Sequence, residues 1–260
     1  MIVSHKHKCI FLKAEKTAGT SMEVALSRIC DSDDIITPIT REDEIIRTSL
    51  GYRWPQNYLV PWKEHSLQEW KLFCKRRKRR KKYFNHMPAL RAKKTLWDEV
   101  WGEYFTVCCE RNPWDRVVSL FFWIKKNTSH TNYTFDQFLE EQEGKIRRYS
   151  TFYRDAQRKV MVDKIYRFED IPFALEDISK KLSLSTPLDL PKEKCKWNTE
   201  RNGTHYSEIL TPKQADTISG WCKESIDLFG YSYENISQRK EMSRKNSKAY
   251  SRQIPRAELC

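Results

Sequence analysis

Apolar positions in this chain follow two periods. Short continuous runs at Cys9–Leu12 and at 104–109, and an alternating stretch at 162–168, predict strands. Between them apolar residues recur three and four apart. Met22, Ala25, Leu26 and Ile29 mark one helix, and Val117, Val118, Leu120, Phe121 and Ile124 mark a second. Phe135, Phe138 and Leu139 mark a third, which Gly144 is expected to end. Asn112 then Pro113, and Thr211 then Pro212, read as a cap followed by the first helical residue. The last helix is expected to run from there to about Phe229 and to stop at Gly230. Ser66 and Glu69 sit at capping-box spacing before a short helix ending near Phe73. Residues 35–38 read as extended, and 41–58 as charged and irregular, broken by Gly51, Pro55 and Asn57.

Strands alternating with helices predict an α/β fold with a central, mostly parallel sheet flanked by helices. No internal repeat is present. The pattern is expected to form a single domain over 1–237. Residues 41–82 read as an insertion on one face of the sheet, and 238–260 as a polar, disordered tail.

Composition narrows the class. The chain has 260 residues with 9 Trp, 12 Tyr and 12 Phe, enough bulky apolar material for a core. No apolar run approaches a membrane span, and no apolar segment precedes the first strand, so a cytoplasmic location is the expectation. The eight cysteines (9, 30, 74, 108, 109, 195, 222, 260) have no C-x-x-C pair or zinc spacing and read as reduced, mostly core residues. The expectation is no metal. Asn-x-Ser/Thr sequons begin at Asn127, Asn132, Asn202 and Asn235, and matter only in a secretory context. Net charge is +13, and Lys75–Lys82 is an unbroken run of eight cations. Like charges repel, so that run is expected at the surface, either as a solvated segment or as a steering patch for a polyanion.

Two stretches carry the chemistry. After the strand Cys9–Leu12 comes Lys16-Thr17-Ala18-Gly19-Thr20-Ser21 and then a helix. Backbone N–H groups and the dipole at a helix start attract an anion, Lys16 adds charge, and the hydroxyls add donors. The glycine-lysine-serine/threonine order of a Walker A loop is absent, because Lys16 precedes the glycine. After the second strand comes Glu110-Arg111-Asn112-Pro113-Trp114-Asp115-Arg116-Val117-Val118-Ser119, which opens a helix. A guanidinium fork and a hydroxyl at a helix start form a phosphate clamp in chemical terms. Arg116 and Ser119, three apart, share a face there.

Lys-Thr-Ala-Gly-Thr-Ser after a strand resembles the 5′-phosphosulfate loop of sulfotransferases, in particular the soluble, bacterial form of the carbohydrate type. Arg-Asn-Pro, two residues, then Arg-x-x-Ser resembles that family's 3′-phosphate motif. His86-Met87-Pro88 is similar to its histidine loop, Arg167-Phe168-Glu169-Asp170-Ile171 to its core strand, and 227–231 to its final helix. The resemblance implies a three-layer fold like that of P-loop NTPases, and transfer of a sulfuryl group from 3′-phosphoadenosine 5′-phosphosulfate (PAPS) to an acceptor hydroxyl, on a carbohydrate. It implies that Lys16, Thr17, Ala18, Gly19, Thr20 and Ser21 hold the 5′ side and that Arg111 and Ser119 hold the 3′-phosphate. Lys16 and His86 are then catalytic, His86 as the base with an imidazole pKa near neutrality. A basic loop at 186–206 (Lys192, Lys194, Lys196, Arg201) is expected to cover the nucleotide, with Arg201 and Gly203 as further contacts. Glu169 and Asp170 are expected to cap the next helix. The basic run is no family hallmark and leaves the acceptor open, a polyanionic one included. The rival readings are a kinase using ATP and Mg²⁺, a nucleic-acid-binding protein built on Lys75–Lys82, and a sulfotransferase fold that binds nucleotide without turnover. No run of stacking aromatics accompanies the basic run, which weighs against nucleic acid.

Overall fold

The structure is a computed structural model, and it describes residues 1–76, 79–127, 132–191 and 201–234. Lysines 192, 194 and 196, Cys195, Cys260, the middle of the basic run and the tail from 238 lie outside the described residues. In chain order the elements are β1 (Ile2–Ser4), β2 (Cys9–Leu12), α1 (Gly19–Ser27), β3 (Ile35–Ile36), α2 (Arg41–Ser49), α3 (Leu67–Arg76), α4 (Ala89–Thr95) and α5 (Asp98–Glu103). They continue with β4 (Phe105–Glu110), α6 (Pro113–Asn127), α7 (Phe135–Ile146), β5 (Lys164–Arg167), α8 (Ile171–Lys181), α9 (Tyr206–Ile209), α10 (Pro212–Trp221) and α11 (Lys223–Phe229).

The strands form one five-stranded sheet in the order β3-β1-β2-β4-β5. β2, β4 and β5 pair in parallel, with Phe11 opposite Val107 and Cys108 opposite Ile165. β1 is antiparallel to both its neighbours, so β3 again runs with the parallel set. The sheet is thus mixed, with one strand reversed.

Alternation along the strands sorts side chains to two faces. Ile2, Phe11, Val107, Cys109 and Tyr166 pack with α1 and α8 on one side. Val3, Ile10, Leu12 and Cys108 pack with Met87 and with Ala89 and Ala92 of α4 on the other. A third cluster joins α6, α7 and α10, built on Trp114, Phe121, Phe138 and Ile218. Cys9, Cys30, Cys108, Cys109 and Cys222 are free and buried in these layers, while Cys74 is free and exposed. Among the described residues no helix is long and apolar enough to cross a membrane.

Several elements differ from the expectation. Residues 41–49 are helical rather than irregular: Thr40 caps the Asp43 N–H, and Glu42, Asp43 and Glu44 fill the first turn, where the helix dipole favours acids. Helix α7 runs through Gly144 to Ile146, because a glycine with helical dihedrals costs little where packing holds the turn. The last helix breaks at Cys222 into α10 and α11, with Gly230 in the left-handed conformation ending the second. Glu169 does not cap α8. It accepts the Asn112 N–H at 2.8 Å and the Tyr231 hydroxyl at 3.1 Å, joining β5 to the start of α6.

Glu110 closes β4 as a buried charge, 1% exposed, paired with the equally buried Arg116 and accepting the Arg111 N–H at 3.0 Å. Removing one member of such a pair strands the other charge in a dry interior. Glu110→Ala is expected to lose about 3–5 kcal/mol in urea denaturation, and Glu110→Ala with Arg116→Met to recover most of that loss.

Candidate functional site

The carboxyl ends of β2, β4 and β5 release three segments side by side, the position where open α/β sheets place ligands. After β2, Lys16 and Ala18 take left-handed dihedrals (φ 61° and 53°) with Thr17 between them. Alternating conformations of this kind turn successive N–H groups into one concavity, an anion nest. Helix α1 follows with no side-chain cap at Ala18. The Ala18 carbonyl accepts from Ser21 and Met22, so the Gly19 and Thr20 N–H groups have no partner among the described residues. Unspent donors at the positive end of a helix dipole fit a phosphate-like group.

Gly19 is required inside the protein, because a Cβ there would clash with Cγ of the Lys13 side chain that packs beneath it. Lys13 is buried and bonds Glu23 Oε2 at 2.9 Å; the same carboxylate takes the amino group of Met1. Thr17 differs from expectation. Its hydroxyl donates its one hydrogen to the Ala14 carbonyl at 3.1 Å inside the loop. The Thr20 and Ser21 side chains are half-buried.

The segment after β4 reaches across to this loop. Arg111 Nη1 donates to the Lys16 carbonyl at 3.0 Å, and Arg116 Nε to the Glu15 carbonyl at 2.9 Å. Arg111 Nε donates to Asp115 Oδ2 at 2.7 Å, and the guanidinium lies 4.0 Å over the Phe168 ring. Asp115 Oδ1 pairs with Arg201 at 2.6 Å, so one carboxylate joins Arg111 to the arginine that follows the 192–200 segment. Asp115 is buried, which alone would raise its pKa, but the two arginines outweigh that and hold it below the usual carboxylate range. Sequence reading missed Asp115, although its place four residues after Arg111 in a first helical turn was the available signal. Arg116 is not part of a clamp, because it is spent on Glu110 and on the loop carbonyl. Ser119 lies one turn beyond Asp115 on α6, half-buried, and its hydroxyl bonds no described residue.

Lys16 is mostly buried, and its ammonium lies 5.8 Å from the ring of Trp123 on α6. Burial and then the nearby Arg111 charge lower its pKa to about 8, with Glu15 opposing and Lys145 adding to the shift. Glu15 itself pairs with Lys145 at 2.6 Å. His86 has φ 59° and its Nδ1 bonds the Lys13 carbonyl at 3.0 Å. A carbonyl can only accept, so Nδ1 carries the proton and Nε2 presents its lone pair. Burial and then the Lys13 charge lower the imidazole pKa to about 4, so this ring is neutral across the physiological range rather than poised near neutrality. Arg111 thus bonds Lys16 directly and Arg201 joins them through Asp115, while His86 bonds the carbonyl of Lys13, the residue that follows β2.

No family model matches the chain. An uncharacterized protein from Archaeoglobus fulgidus is 29% identical over 106 residues, which is 40% of this chain and 88% of that protein. The crystal structure of a sulfotransferase from Alicyclobacillus acidocaldarius is similar over 82% of this chain and 94% of that chain, with 17% identity and a TM-score of 0.40, a loose likeness.

Lys16 loses its proton through about pH 8, and replacing Arg111 removes one cause of the depression. Titration of selectively labelled lysine by NMR is expected to show one resonance moving near pH 8 in the wild type, absent in Lys16→Met and shifted upward in Arg111→Met.

Proposed function

We propose that this protein is a PAPS-dependent sulfotransferase acting on a hydroxyl, on a carbohydrate acceptor. The observation that supports the reading is the bond from Arg111 to the Lys16 carbonyl, which brings the two family-like anion motifs into contact. The donor, when bound, supplies the sulfuryl group. The N–H groups of the 17–20 turn would hold its 5′-phosphate, and Lys16 would neutralise charge growing on the bridging phosphate oxygen. Among the described residues Arg111 leaves one N–H on each terminal nitrogen unused, since Nε, one Nη1 and one Nη2 hydrogen serve Asp115 and Lys16. Those groups, with Ser119 and Arg201, would take the 3′-phosphate. His86 Nε2 would accept the acceptor's proton, and its bond to Lys13 keeps the required tautomer.

Carboxylate usage favours this reading over a kinase with Mg²⁺. Glu15, Glu110 and Asp115 border the loops, and each faces a cation of the chain: Lys145, Arg116, or Arg111 with Arg201. A divalent ion would have to break one of those pairs to gain a carboxylate.

Calorimetric titration separates the assignments. Wild-type protein is expected to bind 3′,5′-diphosphoadenosine at least tenfold more tightly than 5′-AMP, with no dependence on Mg²⁺. Arg111→Ala is expected to abolish that preference, and Lys16→Ala to weaken both nucleotides and remove turnover. An unchanged preference in Arg111→Ala, or turnover by Lys16→Ala, overturns the reading.

A further inference from the structure

The 41–82 region carries a feature that the donor site does not use. Trp62 and Trp70 stack with ring centroids 5.0 Å apart, Phe73 meets Trp62 edge-on at 4.9 Å, and the Arg79 guanidinium lies 4.2 Å from the Trp62 ring. Aromatic side chains normally go to the core, yet Trp62 and Trp70 are 42% and 41% exposed. The charge beside them is one-sided: residues 62–82 hold ten Lys and Arg against two Glu. Arg80 and Lys81 are both exposed at the edge of this cluster.

The cluster is anchored to the edge strand and to the segment that carries His86. Gln56 pairs with Ile36 of the edge strand β3, and Val60 N–H bonds the Arg80 carbonyl at 3.0 Å. Leu59 pairs with Lys81, and the Lys82 and Tyr83 N–H groups both bond the Tyr58 carbonyl. Tyr83 and Met87 are buried in the core and bracket His86. Lys82 is four residues from His86, so their Cα atoms are separated by at most about 14 Å. A chain lying on the aromatic cluster and the cations of 80–82 can therefore present a group to His86 without leaving the surface.

We infer that Trp62, Trp70 and the cations of 79–82 form an acceptor platform for an acidic polysaccharide, a chain of carboxylated or sulfated sugars. The inference rests on the hydroxyl-acceptor reading of the donor cleft and names the substrate class for it. The C–H face of a sugar ring packs on an indole face, while its acidic groups pair with guanidinium and ammonium. Single-stranded nucleic acid asks for a different surface, with open rings at successive positions for successive bases. Here the rings pack on one another, Trp62 against Trp70, His65, Phe73 and Arg79, and Trp70 also beside His65 and Phe73, rather than standing open at successive positions.

The test is calorimetry on the full chain with four probes: polygalacturonate, polyglutamate of matched charge, neutral dextran, and oligothymidylate, each at low and high salt. Polygalacturonate is expected to bind at least tenfold more tightly than polyglutamate, and dextran more weakly than either. Trp70→Ala is expected to weaken polygalacturonate about tenfold while leaving polyglutamate and 3′,5′-diphosphoadenosine unchanged. Trp70→Phe, which keeps an aromatic face and guards against a folding defect, is expected to stay within about threefold of wild type. Lys81→Gln is expected to weaken all three polyanions alike and to flatten their salt dependence. Equal affinity for polyglutamate and polygalacturonate, or no effect of Trp70→Ala, overturns the platform in favour of plain charge. Tighter binding of oligothymidylate overturns it in favour of nucleic acid. Diphosphoadenosine binding without the sugar preference sinks the platform alone, and the sugar preference without diphosphoadenosine binding sinks the donor reading alone.

Discussion

Two arginines from one helix start hold two consecutive carbonyls of a loop that begins almost a hundred residues earlier. Arg116 takes the Glu15 carbonyl and Arg111 the Lys16 carbonyl. A trans peptide is planar, with its C=O and N–H pointing in opposite directions. Fixing those carbonyls therefore fixes the aim of the Lys16 and Thr17 N–H groups, and the left-handed turns at Lys16 and Ala18 carry the curve into the start of α1. Free in solution, such a loop would spend its N–H groups on water in many arrangements. Held this way, it offers them in one. The anion nest is thus made by β4 and α6 as much as by the loop's own residues.

This arrangement concentrates positive charge, and the fold balances it unevenly. Glu110 answers Arg116 inside the protein, and Asp115 answers both Arg111 and Arg201. Lys16 has less compensation, since Glu15 is drawn toward Lys145 and Arg111 lies close by. Its lowered pKa expresses burial first and this crowding of charge second, a strain that an incoming anion would relieve. In His86, burial and then the Lys13 charge disfavour imidazolium, while the Lys13 carbonyl fixes the tautomer. A ring held neutral in this way presents the Nε2 lone pair as an acceptor.

Much of this was legible in the residues, for stated reasons. Continuous apolar runs gave away β2 and β4, and the cap-proline pair at Asn112 and Pro113 gave away α6, because those signals are local. The two anion motifs were legible because each is a contiguous string. Helix α2 was hidden, since its polarity is inverted: Asp43 and Arg47 are buried while Ile45 is 62% exposed, so no apolar stripe exists to read. Strand β1 has three residues, too few for a period to show. The pairing of Asp115 with Arg201 and the depressed His86 pKa depend on contacts between segments far apart in the chain, and the inward hydroxyl of Thr17 and the packing of Lys13 beneath Gly19 depend on how the loop folds back on itself. Periodicity carries no information about those. Glu110 had no visible role in the sequence and proved to be the buried partner that lets Arg116 reach the loop.

The central claim is that the 16–20 turn and Arg111 address opposite ends of one doubly phosphorylated adenosine. A crystal soaked with 3′,5′-diphosphoadenosine tests it most directly. The account predicts the 5′-phosphate on the N–H groups of the 17–20 turn beside the Lys16 ammonium, and the 3′-phosphate within hydrogen-bond reach of Arg111 and Ser119. A nucleotide seated elsewhere, or with its 3′-phosphate facing away from Arg111, would contradict it.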